Sequence, residues 1–243
     1  MILRKEAPGP DNKYYLKVPA GYNPCILGNS SNRQYPQSVL ANCVGGATGL
    51  FNEILNNNEC KYLGNRNPDS MAALARLQGL EVGNVPRPGC ACVQYGSRQH
   101  IFIIGKLERI TGGYRAEIHE SGWSFPPGIY WKYRTATSAN NWGMGSAYTT
   151  RCYIYHPAIN PYWEYPTVDI IKKGTRGNNA RWMQWNLWRG GYYESGSKSE
   201  VDGIAGDRTI AALKLYQCKH GLEADGICGP LTRAEMIKEY CIE

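Results

Sequence analysis

The chain has 243 residues and a formal net charge of +7, with 27 Lys and Arg against 20 Asp and Glu. Hydrophobic residues make up 42% and charged residues 19%, a globular composition that excludes a disordered or collagen-like chain. No apolar run reaches the ~18–20 residues that a membrane helix needs. The first residues contain no apolar core of a secretory signal, so we expect synthesis in the cytoplasm without a signal peptide.

The excess of positive charge lies in one part of the chain. Residues 1–158 carry 16 Lys and Arg against 9 Asp and Glu, whereas residues 159–243 carry 11 of each. A basic surface attracts an anionic polymer such as a nucleic acid, a membrane surface or a cell wall, although the same charges can also serve only to solvate the surface. Because no nucleic-acid motif is present, we expect no nucleic acid as a partner. We do not expect a membrane as a partner either.

A proline-rich stretch, residues 155–167, coincides with this change in charge. It holds three prolines and shows no hydrophobic periodicity, which favours an extended linker. We therefore expect a first domain over residues 1–158, a linker over residues 159–167 and a second domain over residues 168–243.

The nine cysteines contain no C-x-x-C pair, so a zinc ribbon is not expected. Cys90 and Cys92 lie two residues apart in a predicted strand, so their thiols would point the same way and could hold a metal. No second ligand pair has the spacing of a zinc site, and we therefore expect ordinary thiols, no metal and no other cofactor. Without a signal peptide, most thiols should be reduced when the protein is made.

The second domain contains an internal repeat. Residues 201–209 and 224–232 both fit the pattern D-G-I-x-G-x-x-T. Asp-Gly forms a tight turn that needs a positive φ at the glycine, and the second glycine precedes the next helix. The spacing of apolar residues predicts three helices around these turns, over residues 179–189, 208–219 and 230–240.

These three helices should share one small core. Trp182, Trp185 and Trp188 recur every three residues, which favours one buried helical face over a platform for a ligand. Pro230 suits the first turn of the third helix. That helix is expected to bury three side chains, Leu231, Met236 and Ile237.

The repeats and the segment I-K-K-G-T-R-G at residues 171–177 resemble the peptidoglycan-binding domains that are common in cell-wall hydrolases. The resemblance covers nearly all of residues 168–243. It implies a small three-helix domain that anchors the protein to the cell wall and carries no catalytic group.

The first domain shows an α+β pattern. Apolar spacing predicts a buried helix over residues 38–55, and N-P-D at residues 67–69 predicts the start of a second helix that Gly79 ends. The hydrophobic period then changes. The next segments are predicted to be strands, namely C-V-Q-Y, H-I-F-I-I-G-K-L and G-Y-R-A-E-I-H-E, with a hairpin turn at residues 111–113. Helices followed by antiparallel strands indicate an α+β fold with an antiparallel sheet.

Cys43 and His100 are the candidates for nucleophilic chemistry. Cys43 lies at the start of a predicted helix, where the helix-terminal N–H groups and the helix dipole favour a thiolate. His100 opens a strongly apolar strand and could stabilise that thiolate and then protonate a leaving amine. Glu120, at the end of the strand that pairs with the His100 strand, is the candidate for orienting the imidazole.

Strand register decides whether Glu120 can reach His100. A register that places the two residues directly opposite differs from the register that the tight turn at residues 112–113 alone predicts. The arrangement therefore requires a β-bulge or a longer loop between the two strands.

Four segments around these residues resemble the CHAP family of cysteine- and histidine-dependent amidohydrolases and peptidases. They are N-C-V-G-G-A at 42–47, R-P-G-C at 87–90, Q-H-I-F-I-I at 99–104 and E-S-G-W-S at 120–124. Residues 140–149 and 152–157 resemble the closing strands of the phage-type members. The resemblance spans about residues 25–158.

Membership of that family implies a papain-like fold and a role for each residue of the cluster. Cys43 would be the nucleophile, His100 the base and acid, and Glu120 the orienting carboxylate. Three positions depart from the pattern, because many members have an aromatic residue where Gly46 stands, a glycine at Gln99 and an asparagine at Gly122.

Two further family features concern the surroundings of the cysteine. Some relatives bind calcium ahead of it, but residues 28–36 contain no Asp or Glu, so calcium is not expected. An oxyanion hole would combine the Cys43 backbone N–H with a side-chain donor. Gln37 is the donor that papain-like spacing predicts and Asn42 is the alternative, although either could instead cap the helix or face solvent.

Two functional hypotheses follow from the resemblances. In the first, the chain is a monomeric endolysin that is made in the cytoplasm of the host bacterium, acts on the cell wall after release, and cleaves an amide of peptidoglycan through a Cys43 thioester. The bond could be the N-acetylmuramoyl-L-alanine amide or a peptide cross-bridge. In the second hypothesis, which Gly46, Gln99 and Gly122 keep open, the first domain is catalytically inactive and the chain only binds the wall.

Overall fold

The structure, a computed structural model, describes residues 3–6, 8, 12, 14, 17–18, 39–40, 43–55, 68–124 and 128–242. It divides into two compact units, one ending at Pro157 and the other beginning at Ala158. Across these described ranges, no helix has both the length and the apolar character needed to cross a membrane. The first unit is mixed α/β, and the second is helical.

Two helices precede the main sheet of the first unit. Helix α1 spans Cys43–Leu55 and α2 spans Pro68–Leu77. The helix expected over residues 38–55 begins only at Cys43, because strand β2 (Val39–Leu40) pairs with β1 (Lys17–Val18). The end of α2 is as predicted, since Gly79 takes a left-handed conformation (φ +75°) just after it.

The remaining described strands of this unit form an antiparallel sheet in the order β3–β8–β4–β5–β6–β7. The strands are Val82–Gly83 (β3), Ala91–Gly96 (β4), Gln99–Ile110 (β5), Gly113–Ser124 (β6), Gly128–Thr137 (β7) and Tyr148–Ile154 (β8). The predictions of β4, β5 and β6 are confirmed. Strand β3 is too short to show a pattern, and among the described side chains of β7 only Ala136 is buried, so neither has a clear sequence signature.

The β5–β6 hairpin contains the bulge that the candidate site requires. Near the turn the strands pair in one register, and in the middle of the hairpin the register shifts. Beyond the shift Ile103 pairs with His119, which leaves His100 and Glu120 diagonal to each other rather than directly opposite. Diagonal neighbours are still within reach when one side chain is long.

The core of the first unit lies between α1 and strands β5 and β6, and it extends to β4 at the centre of the sheet. Its central side chains are fully buried: Cys90, Ala91, Cys92, Val93, Ile101, Phe102, Ile103 and Ile104. Burial raises the pKa of Cys90 to about 12 and that of Cys92 well above its usual value. These two thiols therefore behave as small apolar core groups.

Residues 159–167, expected as an extended linker, pack within the C-terminal unit instead. Asn160 is fully buried, and its side-chain amide donates to the Trp182 carbonyl (2.9 Å) and to Asn186 Oδ1 (2.7 Å). Tyr162 and Tyr165 pack against the helical core. The prolines in this stretch therefore lie in a packed segment that contains several turns.

The three predicted helices of the C-terminal unit are confirmed to within one residue at each end. They are α3 (Asn178–Arg189), α4 (Asp207–Lys219) and α5 (Pro230–Tyr240). Trp182 and Trp185 are buried, and Trp188 packs partly buried against the same core, as their spacing predicts. The tryptophans of α3 are therefore core residues.

One predicted core residue of α5 is wrong. Leu231 is 78% exposed, whereas Met236 is fully buried. The buried side chains of the helix are Thr232, Met236 and Tyr240, which recur every four residues. Leu231 precedes the first of these by one residue and therefore lies off the buried face.

The first repeat loop of this unit is held by a buried glutamine from α3. Gln184 Nε2 donates to Asp202 Oδ1 (2.9 Å), to the Ile204 carbonyl (3.0 Å) and to Thr209 Oγ1 (3.1 Å). Its Oε1 accepts from the Gly203 N–H (2.8 Å). Gly203 has a φ of +87°, the conformation that its Asp-Gly turn requires.

The second repeat loop is held in the same way by a glutamine from α4. Gln217 Nε2 donates to Asp225 Oδ1 (2.8 Å), to the Ile227 carbonyl (3.0 Å) and to Thr232 Oγ1 (3.2 Å). Its Oε1 accepts from the Gly226 N–H (3.0 Å), and Gly226 has a φ of +77°. The D-G-I-x-G-x-x-T repeat of the sequence is therefore accompanied by a repeated contact, in which a glutamine of the preceding helix binds the loop.

Candidate active site

Cys43 is the first residue of α1, whereas the predicted helix began at residue 38, and Gly46 brings this end of the helix onto the sheet. A Cβ at Gly46 would lie 2.1 Å from Ser121 Oγ on β6, closer than any real contact. The glycine therefore lets the first turn of α1 lie directly against β6. An aromatic side chain, present in many CHAP members, has no space at this position beside Ser121.

His100 and Glu120 form a direct hydrogen bond. His100 Nε2 lies 2.6 Å from Glu120 Oε2, and the two side chains are 10% and 5% exposed. An ionised carboxylate only accepts hydrogen bonds, so Nε2 carries the proton. The ring is also hydrogen-bonded to the Cys43 thiol, for which Nδ1 is the nitrogen that remains. The structure thus brings all three predicted site residues together.

The three side chains change one another's protonation. Burial raises the pKa of Cys43, but its hydrogen bond to His100 and the charge of the imidazolium bring the pKa below its usual value. Burial lowers the pKa of His100, but the thiol and the Glu120 carboxylate together raise it to about 9. Both shifts favour a thiolate–imidazolium pair over the neutral thiol and imidazole.

Arg134 on β7 is a second partner of Glu120 that the sequence pattern does not single out. Its Nε donates to Glu120 Oε1 (2.8 Å), and its Nη1 donates to the Trp142 carbonyl (2.5 Å). Burial raises the pKa of Glu120, but the hydrogen bonds from His100 and Arg134 lower it to about 2. Because β7 itself carries no clear strand pattern, no sequence signal could have found this residue.

The turn that follows β7, Ser138–Gly143, has an unusual backbone. Asn141 (φ 53°) and Trp142 (φ 62°) both take left-handed conformations, which non-glycine residues adopt rarely. Gln94 Nε2 donates to the Asn141 carbonyl (3.3 Å) and to Asn141 Oδ1 (3.0 Å). The buried Trp142 indole N–H donates to the hydroxyl of Tyr153 on β8 (3.0 Å), so the turn is hydrogen-bonded to the sheet.

The charges of the cluster also act on Tyr148. Burial raises the pKa of its phenol, the charge of Arg98 lowers it, and the charges of Cys43 and Glu120 raise it further.

The other histidines have partners of their own. His119 Nδ1 lies 2.7 Å from the Arg4 carbonyl, on the side of β6 opposite to Glu120, as strand alternation predicts. His156 Nε2 lies 2.9 Å from the Phe51 carbonyl, which is a hydrogen-bond partner for the buried imidazole. His220 follows the last residue of α4, and its Nε2 lies 3.0 Å from the Tyr192 hydroxyl.

Several predicted features fall on positions without a structural description. Gln37 and Asn42, the two candidates for the oxyanion hole, lie outside the described residues, as does the segment 28–36. Within the part of the chain that is described, no three His, Cys, Asp or Glu side chains cluster as metal ligands. Within the same part, Cys43, Cys90, Cys92, Cys218 and Cys228 form no disulfide.

Taken together, the fold and the site define a mixed α/β unit with a Cys–His–Glu cluster, followed in the chain by a three-helix unit. Residues 176–236 match the family model described as a putative peptidoglycan binding domain. This match agrees with the resemblance noted for the second domain, and it supports a role connected with peptidoglycan.

Two curated proteins are similar to this part of the chain. A probable N-acetylmuramoyl-L-alanine amidase of Bacillus licheniformis is 41% identical over 63 residues, which is 26% of this chain and 17% of the amidase. A zinc D-Ala-D-Ala carboxypeptidase of Streptomyces albus G is 37% identical over 68 residues, which is 28% of this chain and 26% of the carboxypeptidase. The chain therefore spans only about a sixth to a quarter of these relatives, and both matches fall in the binding-domain region.

A solved structure is also similar. A peptidoglycan-binding protein from Clostridioides difficile in complex with glutamine hydroxamate has 16% sequence identity, with 60% of this chain and 92% of that chain covered. The TM-score is 0.26.

Proposed function

We propose that the protein is a peptidoglycan hydrolase whose N-terminal unit cleaves an amide bond and whose C-terminal unit binds the cell wall. The observation that carries the proposal is the cluster of Cys43, His100 and Glu120, with Cys43 at a helix start and 2.6 Å between His100 Nε2 and Glu120 Oε2. The match of residues 176–236 to a putative peptidoglycan binding domain supports the substrate.

The first half of the reaction forms a thioester. Cys43 Sγ attacks the carbonyl carbon of the amide, and the new C–S bond pushes the carbonyl electrons onto oxygen. The oxyanion lies at the start of α1, where the Cys43 backbone N–H and the helix dipole stabilise it. His100 then gives the proton on Nδ1 to the nitrogen as the C–N bond breaks, and the amine leaves.

The second half releases the acid. Water attacks the thioester carbon while His100 Nδ1 takes one proton from it, the C–S bond breaks, and Cys43 returns to the thiolate. Glu120 accepts the Nε2–H bond throughout, which keeps the correct ring nitrogen facing the sulfur.

The N-terminal unit is of the CHAP type with a papain-like fold, and the whole chain acts as an endolysin after its release from the bacterial cytoplasm. The order Cys–His–Glu and the antiparallel sheet support this assignment. The bond cleaved is either the muramoyl–alanine amide or a peptide cross-bridge. The similar binding regions belong to proteins named as an amidase and as a zinc carboxypeptidase, so the binding domain by itself does not select the bond.

The decisive experiment compares wild type with Cys43→Ala on purified Gram-positive cell walls. We expect Cys43→Ala to lose turbidity clearing completely while it still sediments with the walls, because it removes only the nucleophile. Cys218→Ala is the matched control, since Cys218 is a free and exposed thiol, and it should clear walls as wild type does.

Two results would contradict the proposal. Clearing by Cys43→Ala would exclude the thioester mechanism. A wild-type protein that binds walls without clearing them would favour the catalytically inactive wall-binding alternative. If clearing occurs, mass spectrometry of the released fragments distinguishes new amines on a cross-bridge from intact stem peptides freed from sugar.

A further inference from the structure

Both oxygens of the Glu120 carboxylate are held in place. Oε2 accepts from His100 Nε2 (2.6 Å), and Oε1 accepts from Arg134 Nε (2.8 Å). The Glu120 side chain is only 5% exposed, so water contributes little to its position. Arg134 is therefore the group that sets the angle at which the carboxylate faces the imidazole.

The other end of the Arg134 guanidinium is fixed by the turn Ser138–Gly143. Nη1 donates to the Trp142 carbonyl (2.5 Å), and Nη2 lies 3.7 Å from Met144 Sδ. Gly143 has a φ of +73°, and a Cβ there would lie 3.1 Å from Nη1. The backbone of the turn thus fits closely around the guanidinium.

Side chains on β4 and β8 support the turn. Gln94 binds Asn141 from β4, and Arg151 Nη1 on β8 donates to Asn141 Oδ1 (3.2 Å) and to the Ser138 carbonyl (3.3 Å). Left-handed conformations at two consecutive non-glycine residues persist only where the surroundings hold them. The Trp142 carbonyl is therefore a rigid acceptor for Arg134.

We propose that Arg134 is a positioning residue for the hydrolysis: anchored on the Trp142 carbonyl, it holds the Glu120 carboxylate in the orientation that bonds His100 Nε2. This inference rests on the proposed function. The planar fork of an arginine can reach two acceptors at once, whereas the single ammonium of a lysine cannot reproduce that geometry. Arg134 does not touch the reacting atoms and acts only through Glu120.

Positioning and simple charge lead to opposite expectations for His100. If Arg134 acted only as a nearby positive charge, its removal would make the imidazolium easier to form and would raise the pKa of His100. If Arg134 orients Glu120, its removal loosens the Glu120–His100 hydrogen bond and lowers that pKa. The pKa of His100 therefore separates the two roles.

The experiment is an NMR titration of histidine-labelled full-length protein without substrate, with the His100 signal assigned by its loss in His100→Gln. In wild type the pKa of His100 is raised to about 9. We expect Arg134→Gln to lower it by about one to two units, the value of one hydrogen bond between charged groups. Arg134→Lys, which keeps the charge, should lower it by a smaller amount.

Two controls distinguish the guanidinium from the turn and from the rest of the cluster. Arg151→Gln removes another arginine that holds the same turn, without a bond to Glu120, and should lower the pKa of His100 much less than Arg134→Gln does, because Gln94 still holds the turn. In a Glu120→Gln background, adding Arg134→Gln should shift the pKa far less than it does in wild type, because Arg134 acts through Glu120.

Three results would overturn the inference: an unchanged or raised pKa in Arg134→Gln, an equal drop in Arg151→Gln, or an additive shift in the Glu120→Gln background. If Arg134→Gln does not fold, Arg134→Lys is decisive, and a wild-type pKa of His100 in that variant would likewise overturn the inference. Because the titration needs no substrate, its result is independent of wall clearing. A folded protein with no hydrolysis would end the proposed function, whereas an unshifted His100 in a lytic enzyme would end this inference alone.

Discussion

The two units of the protein bury polar side chains in opposite ways. At the site of the N-terminal unit, the buried groups are ionisable, and Cys43, His100 and Glu120 are partners of one another. At the repeat loops of the C-terminal unit, the buried groups are the neutral amides of Gln184 and Gln217, and each bonds to four groups of one loop and the helix that follows it. Buried charges shift each other's pKa and create reactivity, whereas satisfied amides only fix the backbone.

The largest effect on stability is expected from the C-terminal amides. Gln217→Ala should lower the free energy of unfolding of that unit by about 3 kcal/mol, because it leaves the buried Gly226 N–H and its neighbours without partners. Gln184→Ala should cost about the same, since its bonds are equivalent. Urea unfolding followed by tryptophan fluorescence measures both.

The control for these variants is Glu223→Ala, an exposed position in the same unit, which should change stability by less than about 0.5 kcal/mol. If Gln217→Ala were no more costly than this control, the amide would not be what holds the loop. A cost for only one of the two glutamines would show that the loops are not structurally equivalent.

A smaller effect is expected where α1 meets the sheet. Gly46→Ala should lower the free energy of unfolding of the N-terminal unit by about 1–3 kcal/mol and reduce wall clearing, because the added Cβ overlaps Ser121 Oγ. Adding Ser121→Gly should restore both, since it removes the overlapping atoms. Thermal unfolding and turbidity assays report the two quantities.

Gly145→Ala is the matched control, because a Cβ at Gly145 meets no atom within 4 Å and that glycine is not among those with a positive φ. It should behave as wild type. Failure of Ser121→Gly to rescue Gly46→Ala would mean that the glycine serves the backbone of α1 rather than its contact with β6.

The smallest effect is expected from alkaline pH, and it should affect the two units differently. The folded pKa of His100, about 9, lies above its usual 6.5, so the imidazolium and the stability it contributes are present below pH 6.5 and are lost as the pH rises through 9. Above that value the rate of wall clearing should fall about tenfold per pH unit, because the leaving amine lacks its proton donor.

Wall binding by Cys43→Ala should stay constant from pH 7 to about 10, since the loops of the C-terminal unit are held by neutral amides. Initial rates of clearing and the bound fraction in sedimentation assays, taken on the same pH series, test this contrast. A parallel loss of binding and clearing would contradict it. In acid, Glu120, with its pKa lowered from 4.5 to about 2, should cost the N-terminal unit stability only as the pH falls between those values.

The sequence predicted the C-terminal unit better than the N-terminal one, and particular residues explain why. Helices α3 to α5 follow from apolar spacing, and Gly203 and Gly226 have the positive φ that Asp-Gly turns require. Gln184 and Gln217 were missed because they precede their loops by different distances, 18 and 8 residues to the aspartate. In the N-terminal unit, Cys43, His100 and Glu120 could be selected because their residue types and order have chemical meaning, whereas Arg134 looks like any surface arginine of a half-exposed strand.

By itself, the sequence determined the features that depend on near neighbours: helix periodicity, Asp-Gly turns, the start of α1 near Cys43 and the alternation that separates His119 from Glu120. The tertiary structure decided the strand register, the packing of residues 159–167 and the contact of Arg134 with Glu120. Such contacts join residues on different strands or helices, and their geometry depends on how the sheet pairs and twists, which no local pattern encodes.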